Sequence, residues 1–183
     1  MVTDGAARRS GSVHAAVWLG LVAAALAVHA VFWLISAPEF LFSDFFKAYF
    51  HAAEYVLHEG PGPTWPMAEG SSEVGFVNLP VIAWLFVPLV PLGEPGAGWA
   101  FLALGIAATV AAYALILRFG KPNVRLGLVL LVLFLVNGPL VNSFREGNTT
   151  HFVLLLLVAA LLLWRARLDY AAGLVLGFCA LIK

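Results

Sequence analysis

Hydrophobic and polar positions fall along this chain in long blocks, not in the short alternation of a half-buried sheet. Residues 13–36 form an apolar run of about the length that crosses a bilayer, with His29 as the one ionisable residue in its interior. Residues 98–117, 126–142 and 151–164 repeat the pattern, and polar segments at 118–125, 143–150 and 165–170 separate them. Residues 76–92 are also apolar but are interrupted by Pro80, Pro88 and Pro91. Residues 171–183 begin a further run that stops short of the roughly 20 residues a span needs, so the chain reads as the N-terminal part of a longer one. The pattern predicts an all-α, polytopic transmembrane protein with four complete spans and the start of a fifth.

One stretch breaks the block pattern. In residues 43–60 the ionisable residues Asp44, Lys47, His51, Glu54 and His58 recur at spacings of three and four, which puts them on one stripe of a helix. Two apolar rows flank the stripe: Phe45, Tyr49, Ala52 and Val56 on one side, Phe46, Phe50, Ala53 and Leu57 on the other. Such an amphipathic helix is expected to lie in a membrane interface, because spanning would bury five ionisable side chains. Asp44, at its start, then holds a carboxylate at the membrane surface. The Gly-, Pro- and Ser-rich residues 60–73 follow as an irregular loop, a frequent form for a binding element.

Composition agrees with the membrane reading. The chain is 62% hydrophobic and 11% charged, against about 25% charged in a soluble domain. Its ten basic and ten acidic residues cancel, which removes the electrostatic case for a nucleic-acid partner. The lone Cys179 excludes an intrachain disulfide and reads as a small buried hydrophobe. Residues 1–12 read as a disordered cytoplasmic lead, and 13–183 as a single membrane domain. A cleaved signal peptide competes for 13–36, but its apolar core runs to about 7–15 residues, so an uncleaved first span is the better reading.

The local charges decide the sidedness. If residues 76–92 cross the membrane, Arg118, Lys121, Arg125, Arg165 and Arg167 all fall outside, against the rule that short cytoplasmic loops collect Lys and Arg. If that segment re-enters or lies on the outer surface, all five fall inside with Arg8 and Arg9. The outside then holds Lys47 and Arg145 among many carboxylates. Three prolines in a short run favour the second arrangement. Residues 37–97 therefore read as one long external loop carrying a surface helix and a re-entrant or jutting helix, in a multi-pass protein of the plasma membrane with its N-terminus in the cytoplasm. Residues 142–151 form a second polar element on the same side as Asp44.

The order of these elements carries a resemblance. Asp44-Phe45 is followed by Tyr49, Ala52 and Gly60, then by Asn78-Leu79-Pro80 with Pro88-Leu89, then by Gly147-Asn148 with Thr150 opening a span, and lastly by residues 173–183 ending in Ile182-Lys183. This resembles the N-terminal half of the polyprenol-phosphate-sugar-dependent glycosyltransferases of the GT-C superfamily, most closely glycosyltransferase family 87, whose characterised members are alpha-mannosyltransferases. The resemblance spans nearly all of residues 17–183. Where the family often has Tyr-x-Pro the chain has Asn78-Leu79-Pro80, and where it often has Gly-Gln the chain has Gly147-Asn148. These departures leave the sugar and the acceptor unassigned.

The resemblance implies transfer of a hexose, mannose first, from a polyprenyl-phosphate-linked donor to a lipid or glycan acceptor on the outer face of the membrane. Asp44 is implied as the base that takes the acceptor proton, with inversion at the anomeric carbon. A cation or oriented amide stabilises the departing phosphate, and Arg145, Lys47, Asn148 and Lys183 are the candidates. Tyr49, His51, Trp65 and Asn78 are candidates for contact with sugar or acceptor.

Plainer roles stand beside these. Asp44, with Ser43, suits a helix N-terminus; Arg145 suits a headgroup or a local pair with Glu146; Trp65 and Tyr55 suit a membrane interface without a ligand. His51, Glu54 and His58 have the spacing of metal ligands, but a solvated stripe supplies the same residues, so no cofactor is expected. Asn148-Thr149-Thr150 matches a glycosylation acceptor yet abuts a span. The alternative function is a non-catalytic membrane protein, a transporter or a complex subunit. A coupled transporter is expected to hold carboxylates at mid-membrane, and the predicted spans have none.

Overall fold

The computed structural model of the chain describes residues 4–35, 41–58 and 80–182. These residues are helical, with no strand among them. Helix α1 (Asp4–Ile35) begins within the segment expected to be a disordered lead; Ala6, Ala7, Arg8 and Arg9 are good helix formers and extend the apolar helix backwards. After a turn at Leu41 and Phe42, the chain re-enters a helix whose first part is a π-helical turn (Phe45–Phe50) and whose second is α2 (His51–His58). Next come the short α3 (Pro80–Trp84), a 3-10 turn (Val87–Leu92), and α4 (Gly93–Gly120). The 3-10 turn runs directly into α4, and together they are the one continuous segment among the described residues long and apolar enough to cross a membrane.

The expected span 126–142 is instead two helices, α5 (Val124–Val136) and α6 (Gly138–Glu146), bent by 47°. The cause is local. The Asn137 side chain accepts a hydrogen bond from Leu140 N at 2.9 Å, and Pro139 lies in the first turn of α6, so Asn-Gly-Pro ends one helix and caps the next. Asn123 caps α5 in the same way, through Leu126 N at 2.9 Å. The shorter apolar helices α7 (Thr150–Arg165) and α8 (Asp169–Leu181) complete the chain.

Two contacts fix how the long helices run. Gly105 of α4 lies against the ring of His151 at the start of α7, and Arg165 Nη1 at the end of α7 donates to Phe119 O at the end of α4 at 3.1 Å. Both pairs are separated by 46 residues, so α4 and α7 are parallel and in register. Helix α5 returns beside α4, where Tyr113 Oη donates to Gly127 O at 2.9 Å, and α1 packs on α5. Helix α8 runs back along α7 until Ile182 O accepts from Thr149 Oγ1 at 3.0 Å. Arg118, Lys121, Arg125, Arg165 and Arg167 thus share one end of the bundle, all of them exposed. Asp44, Glu94, Arg145, Glu146 and Asn148 occupy the other.

The helix with the polar stripe is not isolated on a surface. Its first apolar row, Phe45, Tyr49, Ala52 and Val56, is buried in full, together with Phe50 and Ala53. Phe42, the residues Ile82, Ala83 and Phe86 from the α3 region, Ala97 and Phe101 from α4, and Ile182 belong to the same cluster. Phe45 stacks on Phe101 at 4.5 Å and Tyr49 lies 4.8 Å from Phe86. Aromatic pairs of this kind contribute roughly 0.5–1.5 kcal/mol beyond the area they bury. Lys47, His51 and His58 stay exposed, as the spacing predicts.

Candidate active site

Asp44 is half-buried at the start of its helix, and its position depends on a turn 104 residues away. Asn148 Nδ2 donates to Asp44 Oδ2 at 3.3 Å, and Asn148 Oδ1 accepts from Thr150 Oγ1 at 3.1 Å. The two bonds use opposite ends of one amide. Because the carboxylate can only accept, the NH2 group is the end that faces it, and the amide oxygen is left to accept from the threonine hydroxyl.

The turn that carries Asn148 is tied down from several sides. Helix α6 ends at Gly147, whose φ of 74° lies in the left-handed region. Asn148 N donates to Ser143 O at 2.9 Å, and Ser143 Oγ donates to Asn148 O at 2.9 Å. Ser143 Oγ also lies 3.1 Å from His151 Nδ1. A serine hydroxyl has one proton, already given to Asn148 O, so this second bond has His151 Nδ1–H as donor. The imidazole is thereby fixed in one tautomer, with Nε2 buried and without a hydrogen-bond partner among the described residues. Phe144 stacks on the ring at 5.1 Å, and Phe101 and Phe152 close its other sides at 5.3 Å and 4.3 Å.

Turn and helix are in direct contact. Phe42 N donates to Arg145 O at 2.7 Å. Phe42 has φ 58°, a rare value for a bulky residue, and its buried ring meets Trp99 edge-on at 5.3 Å. A β-carbon on Gly147 would lie 2.5 Å from Phe45 Cβ. The missing side chain lets the turn approach the helix closely enough for the Asn148 amide to reach Asp44.

The other candidates fall in different places. Arg145, in the last turn of α6, is half-buried, and its Nη2 lies 3.3 Å from Glu146 Oε1, so the local pair expected from the sequence is formed. Lys47 is exposed one turn after Asp44. The ring of Tyr49 packs against Phe86 within the aromatic cluster. His51 lies between two carboxylates: Nδ1 is 3.1 Å from Glu54 Oε2 and Nε2 is 3.5 Å from Glu94 Oε1, which links α2 to the start of α4. Those partners sit at opposite ring nitrogens and do not converge on a point, and no cluster of three or more His, Cys, Asp or Glu among the described residues has the arrangement of a metal site. Trp65, Asn78 and Lys183 lie outside the described residues.

Ser143, Thr150 and His151 were not singled out from sequence as supports of Asp44. Their signal is present: a helix-ending Gly147 sits between Ser143 and His151, so polar residues at 143, 148, 150 and 151 are forced into one tight turn. Beside this turn, an apolar cleft of about 450 Å³ opens between α1, α4, α5 and α6, with Trp33, Trp99 and Phe144 in its wall and His29, Thr109 and Tyr113 as its polar points. The arrangement offers an oriented carboxylate, a nearby guanidinium and an apolar slot at one end of a bundle of apolar helices.

Comparison with known proteins gives one family: the sequence model of glycosyltransferase family 87 matches residues 76–183, more than half of the chain. No curated protein and no solved structure matches.

Proposed function

The chain belongs to glycosyltransferase family 87, and from that premise we propose that it transfers a hexose, mannose first, from a polyprenyl-phosphate donor to an acceptor hydroxyl at the outer face of a membrane. The observation that carries this reading is the Asp44 carboxylate, held by Asn148 at the acidic end of the bundle, away from the arginine-rich turns. With those turns in the cytoplasm, Asp44 lies at the outer headgroup level. A lipid-linked donor presents its sugar at the same depth.

In this mechanism Asp44 takes the proton of the acceptor hydroxyl while its oxygen attacks the anomeric carbon. The bond from that carbon to the phosphate oxygen breaks, and polyprenyl phosphate leaves with the electron pair and the configuration inverted. Arg145 supports the reading as a cation next to the site, because α6 ends in the turn that holds Asp44 and the Arg145 backbone carbonyl accepts from Phe42 N. Guanidinium suits the phosphate geometrically and offsets the charge it gains. The cleft lined by Trp99 and Phe144 suits part of the isoprenoid chain.

The test is transfer of labelled mannose from polyprenyl-phosphate-mannose in membranes containing the protein, comparing wild type with Asp44→Asn and Asp44→Ala at matched protein levels. Loss of a positioned base lowers the rate by about 10²–10⁴-fold. Wild-type activity that survives either substitution removes Asp44 from the mechanism, and absence of transfer from any lipid-linked hexose removes the donor assignment.

A further inference from the structure

We propose that Asn148 and Thr150 are positioning residues that aim the Asp44 carboxylate, so that Asn148 serves the reaction through Asp44 and is not itself a ligand of the donor phosphate. This rests on the reading of Asp44 as the base. A carboxylate held at neither oxygen turns about its last side-chain bond, and its basic lone pairs sweep a cone. Asn148 Nδ2 occupies Oδ2 at 3.3 Å, while Oδ1 makes no hydrogen bond among the described residues and is left to accept a proton. The donor is neutral. An arginine or lysine in its place would hold the carboxylate as an ion pair and weaken it as a base.

The amide can do this in one orientation only. Turned end for end, it would set its carbonyl oxygen against the carboxylate, oxygen facing oxygen. The carboxylate, which can only accept, disfavours that state, and Thr150 Oγ1 braces the favoured one by donating to Asn148 Oδ1 at 3.1 Å. Behind both, Ser143 bonds the Asn148 backbone at N and O, and the His151 ring holds Ser143. The polar groups therefore form a chain from His151 through Ser143 and the Asn148 backbone, joined by Thr150 at the Asn148 side chain, that ends on Asp44. None of the links requires the substrate to be present.

The experiment separates aiming from binding by the split between kcat and KM. With polyprenyl-phosphate-mannose as donor, Thr150→Val keeps the shape of the side chain and removes the hydroxyl; Asn148→Leu removes both ends of the amide. Each is expected to lower kcat about tenfold to a hundredfold, the cost of a small misplacement of a reacting group, with donor KM unchanged. Thr150→Ser restores kcat. A rise in donor KM at constant kcat in Asn148→Leu overturns the proposal and makes Asn148 a donor ligand, and an unchanged kcat in Thr150→Val overturns the aiming role of the hydroxyl.

A second measurement does not depend on turnover. Melting temperatures in detergent of Asp44→Ala, Asn148→Ala and the double variant are expected to be non-additive, because the two side chains share one bond. Strict additivity overturns the clasp even if transfer is observed. Absence of transfer by the wild type, with non-additivity retained, overturns the reaction assigned to Asp44 and with it the catalytic sense of the clasp, while leaving the bond itself.

Discussion

The two ends of the bundle both carry ionisable residues and use them in opposite ways. At one end Arg118, Lys121, Arg125, Arg165 and Arg167 lie exposed on two turns, and the hydrogen bond between those turns runs from Arg165 to a backbone carbonyl, a tie that depends on no partner side chain. At the other end the polar groups are bonded across long separations in sequence: Asp44 to Asn148, Thr149 to Ile182, Phe42 to Arg145. Charge that only has to stay in water tolerates rough placement. A carboxylate proposed to meet an acceptor hydroxyl does not, and buried residues hold it. The same contrast explains why two glycines at the acidic end, Gly147 and Gly105, are hemmed in by Phe45 and His151, while Gly120, beside the basic turn, meets only Pro122 at 3.7 Å.

Substitutions at the acidic end should therefore cost far more than substitutions at the basic one. After removal of the Asp44 carboxylate itself, the largest expected effect is Arg145→Gln. If the guanidinium meets the leaving phosphate, kcat/KM for the donor falls about 10²–10³-fold, as measured by labelled transfer, whereas a purely local pair with Glu146 predicts little change. Asp44→Glu comes next. It keeps the charge but moves it by one methylene out of reach of a fixed amide, and a loss of about 10²-fold in kcat is expected from misplacement alone.

Gly147→Ala places a β-carbon 2.5 Å from Phe45 Cβ at a left-handed φ, so a loss of roughly 1–3 kcal/mol is expected from the backbone alone, read as a lower melting temperature in detergent. Gly105→Ala drives a methyl into the His151 ring and is expected to lose about 1–3 kcal/mol by overpacking. The smallest effect belongs to Arg125→Gln, for which neither transfer nor melting temperature is expected to change measurably. A large loss there would break the comparison between the ends.

What could be read from the sequence follows the same division. The three-and-four spacing of Asp44, Lys47, His51, Glu54 and His58 gave the helix and its exposed side, because periodicity is a property of one segment. The all-α class followed from the apolar blocks. The bend at Asn137-Gly138-Pro139 went unread although its capping signal is local, because a continuous apolar run masks a break when hydropathy is weighed before turn chemistry. The contact between Asp44 and Asn148 depends on the parallel packing of α4 and α7 and on the close approach at Gly147, neither of which any single segment encodes. His151 illustrates the limit well. In sequence it opens an apolar span and looks incidental; in the fold it is the buried post on which the Asn148 turn rests.

The π-helical turn at Phe45–Phe50 has a consequence for how the position of Asp44 is encoded. A π-turn takes in one more residue than the α-helical path around it, so the helix before it is rotated relative to the helix after it. Deleting one residue between Phe45 and Phe50 would let the chain wind as continuous α-helix and would swing Asp44 by about 100° about the helix axis relative to His51–His58. The aromatic rows could re-form almost unchanged in composition while the carboxylate turned away from Asn148. The aim of the carboxylate is thus stored in a count of residues as well as in their identities, and a single-codon deletion would erase it where many point substitutions would not.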